Sequence, residues 1–148
     1  MARQSFTCDT HDLTALMRGL GKVEKSLRDE ANVRLRNAAG VAAGQLVTEL
    51  QRSAASSPTP QARIVAQAIR VKRDRLVAVE VGGSRKVGSR GTAAGAILWG
   101  SEHGGENFVA SSGGDYWIRP AVQRYTAGGA QGAYLAAVNQ ILRDAGIL

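Results

Sequence analysis

The residue types best suited to chemistry sit together in residues 100–106, GSEHGGE, where His103 lies between Glu102 and Glu106. An imidazole between two carboxylates can bind a divalent ion or relay a proton. The spacing, however, fits no HExxH helix and no paired Cys/His zinc pattern. The other histidine, His11, precedes the first helix. Cys8, the single cysteine, lies in the polar stretch MARQSFTCDTHD, a poor place to hold a preorganised nucleophile. One cysteine permits neither an intrachain disulfide nor a thiolate cluster. No serine stands in a GxSxG elbow, and residues 82–86, GGSRK, lack the spacing of a phosphate-binding loop. No catalytic, cofactor-binding or metal-binding residue is therefore assigned, and no cofactor is expected. An enzyme acting through His103 and its neighbouring acids is the weakest functional alternative.

A second chemistry is carried by charge. The formal net charge is +7, and the excess is concentrated. Arg63, Arg70, Lys72, Arg73, Arg75, Arg85, Lys86 and Arg90 stand against Asp74 and Glu80. Such a block can meet backbone phosphates, an acidic protein surface or only solvent. No aromatic residue falls between Phe6 and Trp99, so base stacking is not supported. The candidate partner or DNA interface is Arg70, Lys72, Arg73, Arg75, Arg85, Lys86 and Arg90. Any nucleic-acid contact there would be to phosphates, without sequence specificity.

These residues need a scaffold, and 148 residues make one ordinary domain. Hydrophobic residues make up 44% but aromatics only 5%, which favours close-packed small side chains over a deep ligand pocket. No run approaches the ~18 apolar residues that span a bilayer. The first residues show no apolar secretory core, so cytoplasmic folding is expected.

Residues 1–11 read as a flexible polar arm. Apolar positions then recur in steps of three and four from Leu13 through Leu20, Leu27, Ala31, Leu35, Ala38, Ala42, Leu46 and Leu50. This predicts a long helix over 12–53, about 60 Å at ~1.5 Å per residue. Gly40 and Gly44, with Ala39 and Ala43, give it a smooth strip for close packing, inside the domain or between subunits. Ser56 to Pro60, SSPTP, ends it, and residues 61–68 suit a short helix. The α+β body, 54–148, continues with a small antiparallel sheet. Ile69 and Val71, then Val77, Val79 and Val81, alternate about Asp74-Arg75, predicting a hairpin with arginines on its outward face and turn. Residues 82–92 and 101–115 are expected as mobile loops. Thr92 is placed to cap a short helix through Trp99. Tyr116 to Arg119 read as a strand or extended lead, with Pro120 near the first helical position. The apolar stripe of Ala133, Tyr134, Ala137, Val138, Ile141 and Leu142 predicts a closing helix packed on the sheet, its start interrupted by Gly128, Gly129 and Gly132. Trp99 and Trp117 are expected in the core, and Arg119 is placed to pair with Glu102 or Glu106.

The order of these elements resembles the head–tail joining proteins of long-tailed bacteriophages, the neck or tail-completion family of lambdoid siphophages. In that family a short helix after the hairpin carries Glu-aromatic-Gly. The matching place here is Leu98-Trp99-Gly100, with Glu102 two residues on. The family's Pro-Ala signature resembles Trp117-Ile118-Arg119-Pro120-Ala121. Its Thr-Gly before the first short helix is replaced by Thr59-Pro60-Gln61. The resemblance runs from Asp12 to the end. It implies a non-enzymatic virion subunit, made in the bacterial cytoplasm and placed at the head–tail junction. Its partners would be copies of itself in a ring, sixfold in the family, and other neck and tail proteins. Duplex DNA would lie nearby in the channel, and no membrane is involved. Trp99, Gly100, Trp117, Arg119 and Pro120 would be structural motif positions. A small basic protein contacting DNA phosphates is the alternative.

Overall fold

The computed structural model describes residues 25–103 and 116–148. The arm at 1–11, the start of the predicted long helix and residues 104–115 of the predicted second loop lie outside them. The fold is α+β: a long helix, a short helix, two small antiparallel hairpins and C-terminal helices.

Helix α1, Lys25–Ala55, is the spine of the molecule. It runs 31 residues, two residues further than expected. Its small residues let neighbours approach on more than one side. The first hairpin lies along one flank, and the two C-terminal helices pack against it elsewhere. After Ala55 the chain is turned by Pro58, and the Arg63 side chain donates from Nε and Nη2 to Ala55 O (3.2 and 3.0 Å). A cation on the free carbonyls of a helix end is favourable. Arg63 thus leaves the basic block for a structural task.

Helix α2, Pro60–Ala66, starts on the proline whose missing N–H costs nothing at a first helical position. Strands β1, Arg70–Arg73, and β2, Val77–Glu80, form the expected hairpin, with Arg70 opposite Glu80 and Arg73 opposite Val77. Alternation puts Val71, Val79 and Arg73 on one face and Arg70, Lys72, Ala78 and Glu80 on the other.

Residues 82–92 depart from the expected mobile loop. Strand β3, Lys86–Val87, pairs with β4, Thr92–Ala93, in a second hairpin. Val87 supplies the reason. It is buried with Ala68 and Ala94 against Ile64 and Ile97. Gly82 and Gly83 take positive φ (88° and 80°), which turns the chain into this hairpin. Helix α3, Ala94–His103, follows directly. Thr92 does not cap it, because Thr92 is held in β4. The first amides of α3 are met by main-chain oxygens instead: Ala94 N–H by Arg85 O (2.9 Å) and Gly95 N–H by Gly83 O (2.8 Å). Residues 101–103, expected in a loop, are the last turn of α3.

Helix α4, Ile118–Ala127, and helix α5, Ala130–Asp144, break at Gly128-Gly129, where Gly129 has φ 80°. Pro120 is third in α4, and the described residues directly before the helix, Tyr116 and Trp117, are not in a strand. The closing helix α5 lies on α1 rather than on the sheet. Ile141 is buried with Ala31 beside Leu35 and Ala38, and Arg34 Nη2 reaches Asp144 Oδ2 at 2.8 Å. The inward face of the first hairpin is already covered by α1. A Schellman motif ends α5, with Gly146 N–H on Arg143 O and Ile147 N–H on Leu142 O (both 2.9 Å). Ile147 folds back onto the same apolar cluster.

The main core joins Leu50, Ala54, Ala62, Val65, Ile69, Trp117 and Ala121. Val79, Val81, Ile97 and Leu98 pack around it. Small residues around one indole let the backbones of these elements approach closely.

Candidate functional site

The two tryptophans part company. Trp117 is fully buried, as expected. Trp99 is 68% exposed, against expectation. It lies on the outer face of α3, its ring 4.2 Å from that of His103 one turn on. Gly100, beside it, is buried.

Around Trp117 the polar groups form a closed node between four helix ends. Indole Nε1–H donates to Ser101 Oγ (3.2 Å), and Trp117 O accepts from Ser53 Oγ (2.6 Å). Thr59 Oγ1 donates to Ser101 O (2.7 Å) and lies 2.9 Å from Ser57 Oγ. The carboxylate of Glu102, 6% exposed, sits over the start of α4. Oε2 accepts the main-chain N–H groups of Trp117 (2.9 Å) and Ile118 (2.8 Å), and Oε1 accepts that of Arg119 (3.1 Å). A carboxylate here fills free donors and meets the positive end of the helix dipole. Glu102 thus meets Arg119 through its backbone, where a side-chain ion pair was expected. Glu106, the other partner considered, lies outside the described residues. Pro120 needs no partner, since it has no N–H to fill.

The basic block is dispersed by the same fold. On the outward face of the first hairpin, Glu80 takes Arg70 Nε on Oε2 (2.5 Å) and Lys72 Nζ on Oε1 (3.1 Å). Hydrogen bonds from Arg70, then Lys72, hold the Glu80 carboxyl below its ordinary value. Arg73 is exposed, but it lies on the opposite strand face from Arg70 and Lys72. Sharing its face with Val71, it points to α1, where its guanidinium covers Gly40. A Cβ on Gly40 would lie 2.8 Å from Arg73 Nη2. Arg75 in the first turn and Arg85, Lys86 and Arg90 in the second hairpin are exposed. No ion pair joins these four to another described residue.

Sequence reasoning missed a cleft between α1 and the first hairpin, lined by Val33, Arg36, Asn37, Arg73 and Val77, of about 200 Å³. Strand parity was the available signal: if Val71 faces inward, so does Arg73. Among the described residues no group of three His, Cys, Asp or Glu side chains could hold a metal ion. His11 and Cys8 lie outside them. No helix among them is long and apolar enough to cross a membrane. The arrangement offers surfaces for binding: an exposed indole, a set of unpaired cations and a shallow cationic cleft.

No family model, no curated protein and no solved structure matches this chain.

Proposed function

We propose that this chain is a non-enzymatic structural subunit of a long-tailed bacteriophage, working at the head–tail junction as one member of a ring. The observation that carries this is the use made of its signature residues. Trp117 fills the core, and Ile118, Arg119 and Pro120 open a helix whose amides are held by Glu102. Glu102 belongs to the same helix as Trp99-Gly100, so the two motif segments of the resemblance meet in one node. The exposed Trp99 fits a surface that is covered on assembly, because indoles are favoured at the centres of protein interfaces.

The test is negative-stain imaging of the purified chain, joined to antibody labelling of tailed particles made from a genome that encodes it. Closed rings, or label at the joint, support the proposal. A particle without the chain, and full infectivity after its deletion, would refute it.

A second reading draws on the cations. Arg75, Arg85, Lys86 and Arg90 are free to meet duplex phosphates, which favours a small DNA-binding protein. Binding to duplex at physiological salt, weakening as salt rises and lost on neutralising these four, would favour it. Channel DNA must slide, and many tight phosphate contacts would resist that, so a protein neighbour remains the better partner for this surface.

A further inference from the structure

The cleft between α1 and the first hairpin combines features that no intramolecular role absorbs. Arg36 and Arg73 both line it, and neither forms an ion pair with a described residue. No acidic side chain is among the described lining residues. Asp74 approaches Arg36 with its main-chain oxygen, 3.4 Å from Nη2. Both guanidinium groups are exposed on this concavity, where one anion can meet the two of them. Arg73 is also positioned, because its guanidinium rests where Gly40 leaves the helix backbone bare. Asn37 adds an amide, and the remaining wall is aliphatic. Val33 and Val77 line the cleft, and Val33 and neighbouring Leu76 are 58% and 55% exposed.

We propose that this cleft docks an acidic, aliphatic segment of a different protein. A Glu or Asp carboxylate enters between Arg36 and Arg73, and flanking aliphatic side chains cover Val33, Leu76 and Val77. The chemistry of the walls selects this occupant. Guanidinium groups match a planar carboxylate. The valines and leucine match apolar neighbours, for which a duplex phosphate backbone has no counterpart. A second copy of this chain is a poorer match, since each copy brings a net charge of +7. The inference deepens the assembly proposal and rests on it only for where the partner comes from.

The experiment uses the isotope-labelled full chain and the peptide Ac-Leu-Glu-Val-Glu-Leu-NH2, followed by NMR. The peptide is expected to shift the methyls of Val33 and Val77 and the Nε–H signals of Arg36 and Arg73. Replacing both Glu of the peptide by Gln should weaken binding about tenfold, as expected for losing charge-assisted hydrogen bonds. Arg36→Ala with Arg73→Ala should abolish the shifts while leaving the spectrum of the core unchanged. Gly40→Ala, which displaces the Arg73 guanidinium without removing its charge, should weaken binding several-fold. Equal binding of the Gln peptide, no shift at the cleft at millimolar peptide, or the same signals moved by a short DNA duplex would each overturn the proposal. Peptide binding by a chain absent from tailed particles would leave the docking site standing and remove the assembly reading. A chain found at the joint with an inert cleft would do the reverse.

Discussion

Removing the Glu102 carboxylate should destabilise the whole fold through α4, although Glu102 is a single side chain on another helix. It accepts three main-chain N–H groups at 2.8 to 3.1 Å and is 6% exposed. Water therefore cannot readily replace it. Losing a helix N-terminal cap costs about 1 kcal/mol, and leaving buried donors unmet adds roughly 1–3 kcal/mol. The three bonds share one group and will not add independently, so Glu102→Ala is expected to cost about 3 kcal/mol. Glu102→Gln keeps one acceptor oxygen but turns an NH2 towards an N–H donor, for about 2 kcal/mol. In urea, with a slope of roughly 2 kcal/mol/M, the alanine variant should unfold about 1.5 M earlier at unchanged slope. Amide exchange at Trp117, Ile118 and Arg119 should quicken in both variants. If both lie within about 0.5 kcal/mol of wild type, with these three amides equally protected, the carboxylate does not hold the helix and the reasoning fails.

The two indoles should behave as opposites in thermal melts: Trp117→Ala should cost about 3–5 kcal/mol, as large core truncations do, and Trp99→Ala less than about 0.5 kcal/mol. Gly44 lies within α1, and a Cβ there would meet nothing within 4 Å. Gly44→Ala should raise stability by about 0.5–1 kcal/mol in denaturant titrations. Hydrogen bonds from Arg34, then Gln140, hold the Asp144 carboxyl below its ordinary value. The folded chain then binds this proton less readily than the unfolded one. The tie between α1 and α5 is fully present above the ordinary carboxylate range and is lost as pH falls through that range and below it. NMR titration of Asp144 should show the depressed value in wild type and an upward return in Arg34→Ala.

The elements legible in the sequence were those whose contacts repeat. Leu and Ala at steps of three and four marked α1, and alternating valines marked the first hairpin with its turn at Asp74. Gly128 and Gly129 marked the break before α5 and Gly146 its end, whereas Gly132, also expected to interrupt the helix start, lies within α5. The second hairpin was not legible, because two-residue strands carry no alternation and only the burial of Val87 makes them pair. Glu102 was noticed as a charge, yet its partners are amides fifteen and more residues away, and backbone donors leave no trace in residue type. The same holds for Ser53, Thr59 and Ser101, whose ordinary identities hide one connected set of hydrogen bonds beside Trp117. Trp99 was misplaced because neighbouring glycines do not say which face of a helix looks outward. Arg73 was grouped with the outward arginines by its charge, while its parity with Val71 lays its guanidinium over the bare backbone at Gly40 with the side chain still exposed. The cations of the basic site thus differ in their surroundings, and the cleft beside Arg73 also takes in Arg36, which lay in an unremarkable helix.

The link between Glu102 and the far side of residues 104–115 has a consequence for how this chain can change. Tyr116 N–H donates to Glu102 O at 2.9 Å, and the Glu102 side chain grips the three residues that follow. The two ends of that connection are tied to each other, so the closure itself is held by described residues on either side of it. Doubling the length of such a closed span costs only ~0.6 kcal/mol in chain entropy. A peptide spliced between positions 103 and 116 is therefore expected to leave the grip of Glu102 on α4 in place, read as unchanged amide protection at Trp117, Ile118 and Arg119.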